Sequence, residues 1–201
     1  MIRMSRIIHD IFGPGSNVKG RIFQDYNQLA EKIASCKQLG LKIVLTSGTF
    51  DLFHIGHSRY LEKAKQHGDF LVVGVDSNDK VKKKKGPHRP IVNEEERMEI
   101  LCHNRHIDIV FLKQAKDPQW HLIKTVRPDV LIATKREYEE KELDGLREFC
   151  GDVILLESQA TTSTTAKVRS ILVEPADEIK ERLKAVVEEV YKFLDDLTGG
   201  V

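Results

Sequence analysis

His54 and His57 are the side chains whose type and spacing best suit chemistry. They lie three residues apart within residues 48–57, between an apolar segment and a pattern of helical spacing. A helix start presents free backbone N–H groups and the positive end of the helix dipole, which together bind phosphate. Imidazole N–H groups also donate hydrogen bonds to phosphate oxygens. Both side chains could therefore stabilise the charge that develops on phosphate groups during nucleotidyl transfer, without a covalent enzyme intermediate.

Two glycines, Gly48 and Gly56, accompany the histidines and would let the backbone approach a ligand closely. The alternatives are a core histidine, an ordinary turn glycine, or a zinc site, for which no third ligand lies at a recognisable spacing. The conjunction of a strand, glycines, His-x-Gly-His and a helix favours a phosphate site.

Strand-like and helical segments alternate along the chain and must position this motif. Alternation of this kind predicts right-handed crossovers and an α/β fold with a doubly wound, Rossmann-like parallel sheet of about five strands. Ligands of such a sheet bind at the carboxyl ends of its strands, so we expect the motif there. The predicted strands are residues 42–46, 70–75, 107–112, 130–133 and 153–156, and the predicted helices are 24–38, 58–67, 93–103, 120–126 and 139–149.

Three segments divide the chain by composition. Residues 1–23 are predicted to be an irregular N-terminal extension, and residues 24–173 form the α/β domain that carries the motif. Residues 174–201 are an appendage in which apolar residues recur at helical spacing up to Gly199-Gly200, which predicts an added C-terminal amphipathic helix. That helix either packs back on the domain or makes a subunit contact, and the sequence alone leaves both open.

The charge balance and the cysteine count exclude several classes of protein. The 201 residues include 32 Lys and Arg against 31 Asp and Glu, so no nucleic acid is expected as a partner. No apolar run reaches the roughly 20 residues of a membrane span, and the basic N-terminus lacks a signal-peptide core. Three cysteines without Cys-x-x-Cys spacing indicate neither disulfides nor zinc. We therefore expect a cytoplasmic protein with reduced cysteines.

Residues 48–57 resemble the signature of the cytidylyltransferase-like nucleotidyltransferases, and the resemblance extends over about residues 26–172. Residues 39–48 are similar to the domain that makes ADP-heptose, residues 56–87 to ethanolamine-phosphate cytidylyltransferase, and residues 48–51 to glycerol-3-phosphate cytidylyltransferase. The resemblance implies that residues 24–173 form a nucleotidyltransferase domain. It also implies transfer of a nucleoside monophosphate from ATP or CTP, with Mg2+, to a small phosphorylated sugar or alcohol, with release of pyrophosphate.

The resemblance implies a role for each residue of the motif. The backbone around Thr49 and Phe50 would contact the nucleotide phosphates, together with the loop glycines Gly48 and Gly56. His54 and His57 would stabilise the transition state. Asp51 matches the acidic position and would either order the loop, the preferred role, or help to place the metal-bound triphosphate.

Cations downstream of the motif are further candidates. The lysine run at residues 80–85 reads as a solvated, mobile loop. The resemblance places its lysines on phosphates, with Lys85 in a catalytic role and Lys83 on the acceptor phosphate. Arg97 and Arg105 match arginines near the family's active site, although Arg97 could instead form an ion pair on its own helix.

Two later segments match the family in part. Ser163, Thr164 and Thr165 match its Ser-Thr-Thr motif and could hold the β- and γ-phosphates, or cap a helix, or both. Glu137 and Tyr138 keep the acidic and aromatic positions of an element that helps to form the base pocket. The preceding Lys135-Arg136 replaces small residues there, and could form an extra anion site or be exposed.

Three functions are therefore compatible with the sequence. The first is the nucleotidyltransferase described above, acting on a nucleoside triphosphate and a small phosphorylated acceptor as a homodimer. The second is an FMN-type adenylyltransferase with the same chemistry. The third is a catalytically inactive nucleotide-binding module that acts through its C-terminal helix.

Overall fold

A computed structural model describes residues 18–134, 144–157 and 179–194 of the chain. The chain divides into two compact units, Met1–Ala160 and Thr161–Val201. Strands and helices alternate in the first unit, as the sequence predicts. Its strands are β1 Ile22–Phe23, β2 Ile43–Gly48, β3 Phe70–Asp76, β4 Ile109–Lys113, β5 Val130–Ala133 and β6 Asp152–Leu155, and its helices are α1 Tyr26–Gln38, α2 Ile55–Lys65, α3 Asn78–Lys85, α4 Glu94–Cys102 and α5 His121–Val126.

The six strands form one parallel sheet in the order β1-β4-β3-β2-β5-β6. From β2 the chain proceeds outward through β3 and β4, and then crosses back to β5 on the other side of β2. This reversal is the switch point at which doubly wound sheets bind ligands, and it lies at the carboxyl end of β2. The motif follows β2 directly, so the predicted fold class and the expected position of the motif are both confirmed.

Helices cover both faces of the sheet because the strand residues alternate between two apolar clusters. Ile43 and Leu45 of β2 pack with buried residues of α1 and α5, whereas Val44 packs with buried residues of α2 and α4. A strand that is buried on both faces carries a continuous apolar run, which is why the sequence shows no alternation here. The core therefore holds the first half of β2 from both sides, directly before the motif.

The start of the described chain is more ordered than the sequence predicts. A 3-10 helix at Val18–Arg21 and the short strand β1 lie in the segment expected to be irregular, and β1 adds a sixth strand beside β4. Arg21 explains the order, because its guanidinium donates to the carbonyl oxygens of Cys102 (2.6 Å), Asp108 (3.3 Å) and Ile107. Such long-range contacts leave no periodic signal in sequence.

The prediction of a loop at residues 80–85 is wrong, because these lysines form most of helix α3. Ser77 caps the helix by accepting a hydrogen bond from the backbone N–H of Lys80 (3.3 Å), and Val81 is its buried residue. One cap and one buried side chain are enough here because the helix is short and joined to β3. The lysines are therefore held on a helix.

Other predicted helices agree with the structure within a few residues. Helix α2 begins at Ile55, three residues before its predicted start, because His54 caps it. Of the predicted helix 139–149, residues 139–143 lie outside the described residues, 144–146 are helical and 147–149 form a turn. In the second unit, residues 179–194 are helical, which confirms the predicted C-terminal helix.

Two further expectations concern the class of protein. No helix within the described parts of the chain is long and apolar enough to cross a membrane. Cys36, Cys102 and Cys150 are all free and buried. Burial raises the pKa of Cys36 and of Cys102 to about 11 each, so both thiols are protonated near neutral pH.

Candidate phosphate-binding site

The two histidines close the amino end of α2 with their Nδ1 atoms. Nδ1 of His54 accepts a hydrogen bond from the backbone N–H of Gly56 (3.1 Å), and the backbone N–H of His54 donates to Nδ1 of His57 (3.4 Å). The rings stack with their centroids 4.0 Å apart at 20°. Because each Nδ1 is an acceptor, the proton of each neutral ring lies on Nε2. The N–H group of each neutral histidine is therefore at Nε2, and such a group can donate to a phosphate oxygen.

Aromatic packing fixes the ring of His57. The ring of Phe50 meets it edge-on with the two ring centroids 5.5 Å apart, and the centroid of the Phe53 ring lies 5.4 Å from that of His57. Phe50 and Leu52 have φ values of 52° and 49°, in the left-handed region that non-glycine residues rarely adopt. Strain of this kind persists where packing enforces it, and the side chain of Phe50 is buried in the core.

The glycines of the motif have structural reasons in this fold. A Cβ atom on Gly48 would lie 3.0 Å from the ring of Phe50, so a larger residue would displace that ring. Gly56 is buried and its N–H is bound to His54. Close approach of a ligand is the reason that the sequence suggests for both glycines, whereas the structure shows loop packing at Gly48.

Asp51 ties the motif to the segment after α3. Its buried carboxylate accepts hydrogen bonds from the backbone N–H groups of Ile91 (3.1 Å) and Val92 (3.0 Å), and pairs with the guanidinium of Arg89 (2.9 Å). Burial by itself would raise the pKa of this carboxyl. The hydrogen bonds and Arg89 outweigh burial, so the pKa lies below its ordinary value.

Asp51→Asn is expected to lower the free energy of unfolding by about 2 kcal/mol near neutral pH, because an amide is a weaker acceptor than a carboxylate. The pKa is lower in the folded chain than the ordinary value of about 3.9. This contribution is therefore complete above about pH 4 and is lost as the pH falls through the folded pKa. Urea unfolding of both proteins across this range measures it. An equal gap at neutral and acid pH would contradict the prediction.

Arg97, on α4, links the motif to the first residue of α3. Arg97 is buried, with 1% of the residue exposed, and its guanidinium donates to the carbonyl oxygens of Thr49 (2.6 Å) and Val92 (3.0 Å) and to Oδ1 of Asn78 (2.9 Å). These contacts differ from both roles considered from the sequence, a direct phosphate contact and an ion pair on its own helix. The geometry makes Arg97 a positioning residue for the backbone of the motif.

The other predicted site residues lie at different places. Lys83 and Lys85 are exposed on α3, and Lys85 precedes the turn that leads to Arg89, the partner of Asp51. Arg105 is exposed between α4 and β4, where the strand begins, whereas the motif lies at a strand end. Glu137, Tyr138, Ser163, Thr164 and Thr165, together with Lys135 and Arg136, lie outside the described residues.

A charged cluster that was not predicted from the sequence lies at the carboxyl ends of β3 and β4. The carboxylate of Asp76 is buried, and three ammonium groups lie near it: Lys113 at 3.3 Å, Lys84 at 3.4 Å and Lys80 at 3.8 Å. Burial would raise the pKa of Asp76, but the lysines outweigh it and the pKa is lowered. A signal existed, because Asp76 and Lys113 are the polar residues that directly follow two predicted strands.

A Mg2+ ion would find little room for direct carboxylate ligation at this edge. The oxygens of Asp51 accept N–H groups and those of Asp76 face ammonium groups. In the described part of the chain, no three His, Cys, Asp or Glu side chains are grouped as a metal site. Magnesium ions commonly bind through substrate phosphates, so an ion that arrives with a triphosphate would not need these two carboxylates as ligands.

Comparison with known proteins bears on the same region. Residues 45–187 match the family described as cytidylyltransferase-like. The bifunctional protein HldE of Aliarcobacter butzleri is 36% identical over 156 residues, which cover 78% of this chain and 32% of that protein. HldE of Haemophilus influenzae strain PittGG is 40% identical over 147 residues, covering 72% and 30%. The chain thus spans about a third of the length of these relatives.

Solved structures share the fold. The lipopolysaccharide core biosynthesis protein of Thermoplasma volcanium is 25% identical with a TM-score of 0.53, and the match covers 59% of this chain and 98% of that one. The pantoate-beta-alanine ligase of Francisella tularensis, solved with beta-gamma ATP and beta-alanine, is 18% identical with a TM-score of 0.55, covering 81% and 78%. The second likeness bears on the fold alone.

Proposed function

Because the chain belongs to the cytidylyltransferase-like family, we propose that it transfers a nucleoside monophosphate from ATP or CTP to a small phosphorylated sugar or alcohol. The observation that carries the proposal is the histidine pair at the amino end of α2. In each ring Nδ1 accepts a hydrogen bond from a backbone N–H group, so the N–H of the neutral ring is at Nε2. These donors lie at the amino end of α2, where the helix dipole is positive, and at the switch point of the sheet.

The proposed reaction is an in-line displacement. A phosphate oxygen of the acceptor forms a bond to the α-phosphorus, and the bond from that phosphorus to the bridging oxygen breaks. Pyrophosphate leaves with the electron pair. Negative charge grows on the α-phosphate oxygens and on the leaving group, where Nε2–H groups of His54 and His57 would stabilise it. Mg2+ would enter with the triphosphate and neutralise part of its charge.

A sugar phosphate with ATP is the favoured pair. The chain resembles the domain that makes ADP-heptose, and its relatives include HldE proteins. CTP with glycerol phosphate or ethanolamine phosphate follows from the resemblance of residues 48–51 and 56–87 to those transferases. FMN with ATP is the remaining combination with the same chemistry.

The test is pyrophosphate release from each pairing of ATP or CTP with a sugar 1-phosphate, glycerol phosphate, ethanolamine phosphate or FMN, in the presence of Mg2+. We expect turnover with one pairing and its loss in His57→Ala, with circular dichroism to show that the variant is folded. Nucleotide binding without turnover for every pairing would favour the inactive module. Full activity of His57→Ala would exclude the proposed site.

The proposal includes a homodimer in the cytoplasm. Within the C-terminal helix, Ile179, Leu183, Val186 and Val190 follow the alternating spacing of four and three residues that suits helix pairing. Light scattering of the full-length chain should then give twice the mass of one chain, and the mass of a single chain would contradict it. Free, buried cysteines and nucleotide substrates are consistent with a reducing compartment.

A further inference from the structure

We propose that Lys80 and Lys113 form an anion subsite for the acceptor, on the β3–β4 side of the histidine motif. The inference rests on the proposed function for the nature of the ligand, an acceptor that carries a phosphate or a similar anionic group. It assigns this contact to two lysines that are distinct from Lys83 and Lys85.

The subsite is built around the carboxylate of Asp76. Nζ of Lys113 and Nζ of Lys80 lie 3.3 and 3.8 Å from its Oδ1, and Nζ of Lys84 lies 3.4 Å from Oδ2. The side chains of Lys113 and Lys80 are only 17% and 21% exposed, whereas that of Lys84 is 56% exposed. Two lysine side chains that are largely buried therefore lie within ion-pair distance of one oxygen of Asp76.

Positive charge is in surplus within this cluster. Three ammonium groups face Asp76, and Asp117 is a second carboxylate whose charge acts on Lys80. Burial and then the neighbouring charge of Lys113 lower the pKa of Lys80, and Asp76 only partly opposes them. A partly desolvated surplus charge is unfavourable on its own. A phosphate placed between Lys80 and Lys113 would complete the cluster.

The cluster is attached rigidly to the motif. Asp76 is paired with Lys113 in the register of β3 and β4, and on the other side of β3 its neighbour Val75 is paired with Gly48. Two residues after Asp76, Asn78 accepts a hydrogen bond from Arg97, which also binds the carbonyl of Thr49. The lysines and the histidines thus lie at the same side of the sheet, the one formed by the carboxyl ends of its strands.

The sheet topology also favours separate positions for the nucleotide and the acceptor. The switch point lies between β2 and β5, where a doubly wound sheet binds its nucleotide. The acceptor must reach the α-phosphate from another direction. The β3–β4 side of β2, where Lys80 and Lys113 lie, is adjacent to the motif and carries the surplus positive charge.

The first test is a calorimetric titration of the full-length chain with inorganic phosphate, with a non-hydrolysable ATP or CTP analogue saturating the nucleotide side. Lys113→Gln should weaken phosphate binding about tenfold, the usual effect of losing one charge-assisted hydrogen bond. The control Lys63→Gln removes the same charge from an exposed position in the last turn of α2 and should leave the affinity unchanged. Lys80→Gln tests the same subsite if Lys113→Gln does not fold.

Kinetics separate this inference from the proposed function. With the pair that the wild type turns over, Lys113→Gln should raise the KM for the acceptor about tenfold and leave the KM for the nucleotide unchanged. Equal phosphate affinity in wild type and both lysine variants would overturn the subsite, as would a rise confined to the nucleotide KM. If no pair of nucleotide and acceptor is turned over, the proposed function is wrong, and so is the proposal that the subsite binds the acceptor. The anion site itself is then judged by the titration alone.

Discussion

His54→Asn is expected to lower kcat/KM by a hundredfold to a thousandfold while the free energy of unfolding stays within about 0.5 kcal/mol of the wild-type value. Asparagine is among the best residues at a helix N-cap, so its side chain can replace Nδ1 of His54 as acceptor for the Gly56 N–H. It has no group at the position of Nε2. The variant therefore separates the role of the imidazole as a helix cap from its role as a hydrogen-bond donor to phosphate.

Two measurements check this expectation: urea unfolding, and pyrophosphate release with the pair identified for the wild type. His54→Ala is the matched control, because it removes the cap and the donor together. It should lose the same activity and about 1 kcal/mol of stability besides. If His54→Asn kept wild-type activity, His54 would act only as the cap of α2.

The fold could be predicted largely because its signals are local. Each central strand of the sheet is a short apolar run, and each crossover helix has its own periodicity, so the order of elements follows from the sequence. The motif could be placed because residues 48–57 join a strand to a helix without interruption. Parallel pairing then puts the motif at a strand end whatever the detailed register.

The charged cluster and the true surroundings of Arg97 could not be predicted in the same way. Asp76 meets Lys113 only because β3 and β4 pair in one particular register. Arg97 has polar neighbours on its own helix, which suggests a local ion pair, yet its hydrogen bonds reach Thr49 and Asn78. Contacts between residues that are distant in the chain depend on the packed fold, and one sequence carries no periodic trace of them.

Helix α3 could not be predicted for a different reason. Its four consecutive lysines are typical of a solvated loop, and only Ser77 and Val81 indicate a helix. Capping and the junction with β3 outweigh the repulsion between the lysines. Ion pairs to Asp76 and Asp79 reduce that repulsion further.

Arg97→Met is expected to lower the free energy of unfolding by about 3 kcal/mol, because it leaves the carbonyls of Thr49 and Val92 and the amide of Asn78 without their donor. Methionine fills much of the same volume, so loss of packing contributes little. The comparison variant Arg105→Met removes an exposed arginine and should change stability by less than about 0.5 kcal/mol. Urea unfolding of both variants provides the measurement.

Activity distinguishes positioning from stability alone. Under conditions in which circular dichroism shows Arg97→Met to be folded, kcat should still fall, because Thr49 has lost the donor that fixes its backbone beside the histidines. Arg97→Lys keeps a charge but can satisfy fewer of the three acceptors at once, so it should lie between wild type and Arg97→Met in both stability and kcat. A folded Arg97→Met with wild-type kcat would mean that the motif keeps its geometry without Arg97. In that case the aromatic packing around His57 and the contacts of Asp51 would be sufficient to hold the site.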